Sequence, residues 1–86
     1  MNVKLQFVTR EVAGDVLLVP VGKTSLDLNG MLTLNELGAE LWNRIPQAES
    51  EEELAAGIAA DYDVTPEQAR ADVHEFLEKL RELGIL

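Results

Sequence analysis

The residues of this 86-residue sequence whose types most often carry out acid–base or metal chemistry are one histidine and sixteen carboxylates. His74 is the only histidine and there is no cysteine, so neither a thiolate nucleophile nor a cysteine-based zinc site is available. A lone histidine acts as a base only beside a nucleophile or a substrate site, and the sequence contains neither in a recognisable pattern. The carboxylates lack the spacing of an EF-hand loop. We therefore expect no enzymatic activity, no cofactor and no metal.

One serine suggests a different chemistry. Ser25-Leu26-Asp27 has a faint similarity to the phosphopantetheine attachment site of an acyl carrier protein, and the chain is small and acidic as such carriers are. A carrier serine begins a helix after a long first helix, whereas Ser25 follows apolar strand-like runs and precedes Asn29-Gly30, a turn signal. The position of Ser25 therefore disfavours an acyl carrier protein, which stays an open alternative.

The charge of the chain is acidic and uneven. The net charge is −9, and residues 46–86 carry eleven acidic and three basic side chains, against five and four in residues 1–45. Nucleic-acid binding draws its affinity from neutralised phosphates, so this balance argues against it. No apolar run approaches the roughly 20 residues that span a bilayer, and the N-terminus lacks a signal-peptide pattern. We expect a cytoplasmic protein that binds neither nucleic acid nor membrane.

Two kinds of element must position any site. Alternating apolar residues predict strands between about residues 3 and 34: one from Val3 toward Val12, one at 16–19, and one at Met31-Leu32-Thr33-Leu34. Residues 26–28 form either a further short strand or part of a loop. Three helices are predicted at about 35–44, 50–62 and 65–83. Their starts carry capping residues, namely Asn35, Ser50 in a capping box with Glu53, and Thr65 followed by Pro66 and Gln68.

This order of elements predicts the fold class. Strands followed by three short helices favour one α+β domain over residues 1–86, of winged helix-turn-helix type, with a three-stranded antiparallel sheet before the helices. Many winged helix-turn-helix domains regulate transcription, so a DNA-binding regulator is the main alternative function. The second and third helices are net negative, which opposes contact with phosphate.

The last helix sorts its side chains by type. At about 100° per residue, its core face is predicted to hold Ala69, Val73, Phe76, Leu80 and Leu83, with Leu77 at the border. Arg70, His74 and Arg81 fall together on the flank beyond Leu77, and Asp72 and Lys79 fall on the opposite border. The flanking cations either contact a ligand or are solvated side chains paired with nearby glutamates.

The run at residues 34–42, LNELGAELW, resembles the "LNxxGAxxW" signature of the PqqD family. Weaker similarities follow in the same order, at 53–54, 61–64, 72–73, 76–77 and 83–86. The resemblance covers about residues 5–86. In one respect the chain differs, because residues 21–30 lie between the second and third strands, where the founding members have almost no insertion.

The resemblance implies a function as well as a fold. Founding members assist pyrroloquinoline quinone synthesis, and many relatives recognise precursors of ribosomally made, modified peptides. They hold the leader peptide and deliver it to a modifying enzyme, often a radical S-adenosylmethionine enzyme. The leader adds as a strand beside the third strand, against the third helix. A non-catalytic peptide-binding adaptor is therefore expected, with the precursor peptide and such an enzyme as partners.

The expected peptide site combines that strand with one flank of the last helix. Its residues are Met31, Leu32, Thr33, Leu34, Arg70, His74, Leu77 and Arg81. The strand would supply backbone hydrogen bonds. The basic flank would contact carboxylates of an acidic peptide, because a guanidinium matches a carboxylate in shape and charge.

Overall fold

A three-stranded sheet precedes three helices along the chain. The computed structural model describes residues 1–22 and 32–86. The elements are β1 (Phe7–Val12), β2 (Asp15–Pro20), β3 (Leu32–Leu34), α1 (Glu36–Arg44), a 3-10 turn (Ile45–Gln47), α2 (Glu51–Asp61) and α3 (Pro66–Glu82). The predicted α+β class, with an antiparallel sheet followed by three helices in a winged-helix arrangement, is confirmed.

Some sequence predictions fall outside the described residues. They are the attachment site at Ser25, the choice between strand and loop at 26–28, the Asn29-Gly30 turn, and Met31 of the third strand.

The sheet is built on a tight hairpin between β1 and β2. Ala13 and Gly14 form its turn, and both have positive φ, +53° and +89°, as a type I′ turn requires. β2 lies between the other two strands and pairs antiparallel with each, with Leu17 opposite both Arg10 and Thr33. β3 is therefore an edge strand, and α1 begins directly after it.

The first strand begins at Phe7, later than the predicted start at residue 3. Val3 and Leu5 are half-buried and alternate with exposed neighbours, and they pack against the helical core. The Lys4 N–H donates to the carbonyl of Ile85 at 2.7 Å. An extended segment that lies on a core shows the same two-residue alternation as a strand. The alternation alone therefore predicts a strand that begins four residues too early.

All three predicted caps are present at the helix starts. Backbone N–H groups donate to Asn35 Oδ1 from Gly38 at 2.8 Å, to Ser50 Oγ from Glu53 at 3.1 Å, and to Thr65 Oγ1 from Gln68 at 3.1 Å. The side chains that were expected to complete the capping boxes bond elsewhere. The Glu53 carboxylate accepts from the Glu49 N–H at 2.8 Å, and the Gln68 amide donates to Asp72 at 2.8 Å.

The core lies between the sheet and the helices, and it receives side chains from every layer. The largest fully buried side chains are Leu18, Leu41, Ile45, Ile58, Val73, Leu77, Leu80 and Ile85. Trp42 packs against this core, and its ring meets Phe7 edge-on with centroids 5.6 Å apart. Among the helices that the structure describes, none has the length and apolar character to cross a membrane.

The buried face of α3 differs from the predicted one. Leu77, placed at the border by the sequence pattern, is 0% exposed, whereas Phe76 and Leu83 are only half-buried. The reason is that α3 packs closely against α2, so the centre of its buried face is turned toward Leu77. This rotation leaves Phe76 and Leu83 beside the sheet edge.

Candidate functional site

A groove of about 340 Å³ runs between the edge strand β3 and helix α3. Its lining comes from β3, from α1 with its cap, and from α3 with the residue after it: Leu32, Thr33, Leu34, Asn35, Leu37, Gly38, Leu41, Asp72, Glu75, Phe76, Lys79, Leu80 and Leu83. No residue of β1 or β2 contributes to it. The groove therefore lies on the side of β3 that faces away from β2.

That side of β3 is an unpaired sheet edge within the described residues. An edge strand presents N–H and C=O groups that an incoming extended chain can pair with, as in strand addition. Leu34 is buried in the floor, Leu32 is half-buried and Thr33 is exposed. The edge thus offers polar backbone groups above an apolar floor.

Gly38 explains how α1 comes close enough to form that floor. It is buried, and a Cβ atom at this position would lie 3.4 Å from Cε1 of Phe76 and 3.2 Å from Oδ1 of Asn35. The second atom belongs to the cap of α1, because Asn35 Oδ1 accepts the Gly38 N–H. The glycine of the LNELGAELW run therefore permits both the cap and the contact with α3.

The outer wall of the groove is charged. Asp72, Glu75 and Lys79 lie on successive turns of α3 and face the groove. Asp72 is half-buried, and the Gln68 amide donates to its Oδ1 at 2.8 Å, which holds the carboxylate in place. Two carboxylates and one ammonium give this wall a net negative charge.

The predicted site residues divide between two parts of the molecule. Leu32, Thr33 and Leu34 line the groove. The basic flank, defined here as Arg70, His74 and Arg81, does not, and neither does Leu77, which is fully buried. The structure therefore places these helix residues apart from the groove that Leu32, Thr33 and Leu34 line.

The basic flank faces α2 instead. Nδ1 of His74 lies 3.3 Å from Glu51 of α2, and Nη1 of Arg81 lies 3.9 Å from the same carboxylate. Arg81 also bonds Glu78 on its own helix at 2.7 Å. Arg70 is exposed and shares this flank by helical spacing. These contacts connect the two helices.

The two flanks of α3 look equivalent when only the periodicity of α3 is considered. The side that meets α2 is fixed by packing between helices, which a single-helix pattern does not contain. One sequence signal was available, since Glu51 at the acidic start of α2 is complementary to the basic flank. The groove residues Asp72, Glu75 and Lys79 were therefore missed as site candidates.

His74 has the surroundings of a surface ion-pair residue. Its side chain is 60% exposed, and its nearest charged partner is Glu51. In the part of the chain that the structure describes, no three His, Asp or Glu side chains are grouped so that they could hold a metal ion.

The fold and groove agree with a comparison against protein families. The family model described as coenzyme PQQ synthesis protein D (PqqD) matches residues 15–86, most of the chain. The chain belongs to the PqqD family. The predicted resemblance is thereby confirmed, and the signature at 34–42 corresponds to the last residue of β3, the cap of α1 and most of α1.

A solved structure shares the fold of this PqqD-family chain. TbiB1 in complex with the TbiA(beta) leader peptide matches with a TM-score of 0.74 and 21% sequence identity, covering 100% of this chain and 94% of that one. At this identity the likeness establishes the fold. Among curated proteins, no sequence matches this chain.

Proposed function

We propose that this PqqD-family chain is a non-catalytic adaptor that holds the leader segment of a precursor peptide. The peptide would lie in the groove as an added strand, paired with β3 and covered by α3. The observation that carries the proposal is the edge of β3 that faces that groove and that no strand within residues 1–22 and 32–86 pairs with. Support comes from family membership and from TbiB1, a protein of the same fold whose solved structure contains a leader peptide.

The same groove supplies both parts of peptide recognition. Backbone pairing with β3 gives affinity for any extended chain, and side chains of alternate residues enter the apolar floor beside Phe76 and Leu83. The residues that we assign to binding are Leu32, Thr33, Leu34, Asp72, Glu75, Phe76, Lys79 and Leu83. This set replaces the basic flank of the sequence prediction.

The proposed partner of the adaptor is an enzyme that modifies the bound peptide, of the radical S-adenosylmethionine type. Binding the leader raises the effective concentration of the precursor at that enzyme, to about the millimolar range when the connecting segment is short. A chain of 86 residues thereby contributes to catalysis without reacting groups of its own. A DNA-binding role is disfavoured because α3 carries five acidic and three basic residues.

Backbone N-methylation of a bound peptide tests strand addition. Binders are first selected from a phage-displayed library of random 12-residue peptides. Each backbone N–H of a selected peptide is then methylated in turn. An added strand directs alternate N–H groups at β3, so we expect affinity to fall at every second position, about tenfold for each hydrogen bond lost.

Changes in the amide chemical shifts of the ¹⁵N-labelled protein show which residues contact the same peptides. We expect changes in residues 32–35 and 72–83 and none in the β1–β2 hairpin. Losses of affinity without a two-residue period, or shift changes centred on α2, would contradict the proposed binding mode.

A further inference from the structure

The groove wall carries a charge opposite to the one that the sequence suggested. The basic flank points to α2, and the side chains that face the groove from α3 include Asp72 and Glu75 with only Lys79 to offset them. From this arrangement we infer that the peptide bound by this chain carries a basic side chain on the residue that faces Asp72 and Glu75. This inference rests on the proposed function and specifies the chemical class of its ligand.

The two carboxylates are close enough to act on one cation. They are three residues apart on α3, about 4.5 Å along the helix axis and on the same side of it. Asp72 is half-buried and already oriented by Gln68, so a lysine or arginine that reaches it meets a preorganised acceptor. Arginine is the better match, because its planar fork can donate to both carboxylates.

Lys79 does not reverse this preference. It lies one turn further along α3 from Glu75, in the i to i+4 arrangement in which an acidic residue stabilises the following lysine. With two carboxylates and one ammonium, the wall keeps one net negative charge whether or not Glu75 and Lys79 interact. The whole chain, at −9, also attracts cationic peptides over longer distances.

The apolar part of the groove adds a second requirement. Phe76 and Leu83 are half-buried on the same wall, and a strand presents alternate side chains to one face. A peptide residue facing Asp72 and Glu75 and another facing Leu83 therefore lie on the same side of the strand. The helix rises about 14 Å between these points, which corresponds to about four residues of an extended peptide. The basic and apolar residues are thus separated by an even number of positions.

The test begins with the random 12-residue phage library and the unmodified protein. For a peptide that runs along α3, we expect selected sequences to be enriched in a lysine or arginine about four residues from a bulky apolar residue. Enrichment of aspartate or glutamate at that place, or peptides that localise to the groove without a basic residue, would overturn this inference and leave the proposed function intact. A library that yields no peptide bound in the groove would overturn both.

Two matched double variants then separate local from general charge effects. Asp72→Asn with Glu75→Gln removes both groove carboxylates, and the asparagine oxygen can still accept from Gln68. Glu52→Gln with Glu67→Gln removes the same number of charges from exposed positions that do not line the groove. Circular dichroism verifies that both variants are folded.

The affinity of each double variant for a selected basic peptide distinguishes a local charge effect from a general one. We expect the groove variant to bind about five- to tenfold more weakly and the control variant to stay within about twofold of the parent. We also expect affinity to fall more steeply between about 0.05 M and 0.5 M salt for the parent than for the groove variant, which keeps only the attraction from the rest of the chain. Equal losses in the two variants would refute the local contact.

Discussion

Arg44 and Gly57 together offer a quantitative test of how α1 is held against α2. Arg44 Nε bonds Glu40 at 2.8 Å, and Nη2 reaches across to Asp61 at the end of α2 at 2.6 Å. The guanidinium lies over Gly57, where an added Cβ atom would come within 2.9 Å of Nη1. The hydrogen bond to Glu40, and then the one to Asp61, raise the pKa of Arg44 above its ordinary value, so it stays charged.

The substitution Gly57→Ala sets two effects against each other. Alanine stabilises a helix interior by about 1 kcal/mol relative to glycine. The new methyl group displaces the guanidinium and breaks the pair with Asp61, whose side chain is 58% exposed, so the loss is about 0.2–1 kcal/mol. In the parent protein we therefore expect a net gain between about zero and 0.8 kcal/mol.

The full gain should appear when nothing lies over position 57. That is the case in an Arg44→Ala background, where Gly57→Ala should raise the free energy of unfolding by about 1 kcal/mol. In an Asp61→Ala background the guanidinium is still present, but it can move aside without breaking the pair with Asp61, so a gain of similar size is expected. For a domain of this size that is a rise in Tm of about 4–8 °C. The gain in free energy of unfolding from Gly57→Ala in a variant background, minus the gain in the parent, is the coupling energy of a double-mutant cycle.

Urea and thermal unfolding followed by circular dichroism measure all of these variants. The matched control is Ala56→Gly, at an exposed neighbouring position of α2, which reports the local cost of glycine in the same helix. The coupling should shrink in 1 M salt, because the pair is exposed. If Gly57→Ala changes stability by the same amount in all three backgrounds, the guanidinium does not limit position 57 and this reasoning fails.

Two further expectations concern the helix starts and the basic flank. Ser50→Ala and Thr65→Ala should each lower stability by about 1 kcal/mol, seen as a lower urea midpoint with an unchanged slope, because each removes the acceptor of a backbone N–H; unchanged midpoints would mean that the caps contribute nothing. Glu51→Gln should cost less than about 1 kcal/mol, since its partners are exposed. It should leave peptide affinity within about twofold by fluorescence anisotropy, and a larger loss would place the basic flank in the binding site after all.

The features that could be predicted from the sequence are those determined by neighbouring residues. Asn35, Ser50 and Thr65 cap their helices through hydrogen bonds that span three residues, so the helix starts follow from local sequence. The Ala13-Gly14 turn is likewise local. The order of strands and helices, and with it the fold class, follows from these signals.

The features that could not be predicted depend on contacts between distant segments. Leu77 and Phe76 are adjacent and both apolar, and only the packing of α3 on α2 decides which is buried and which lines the groove. The same rotation moves the basic flank away from β3 and brings Asp72 to it. The orientation of one helix about its axis thus determines which charged side chains face the groove, and the periodicity of α3 alone does not fix that orientation.

The shortness of β3 has a consequence for which chains the protein retains. Within the described residues the strand spans three residues. These offer an added strand only about two or three backbone hydrogen bonds, each with a net value of about 0.5–1.5 kcal/mol. Association costs an estimated 4–15 kcal/mol in lost freedom of motion, which these bonds alone do not offset. An arbitrary unfolded chain, or the edge of another copy, is therefore released quickly. On the proposed function, we expect the protein to retain only peptides whose side chains also fit the groove, so a short edge strand would limit aggregation and favour selective binding.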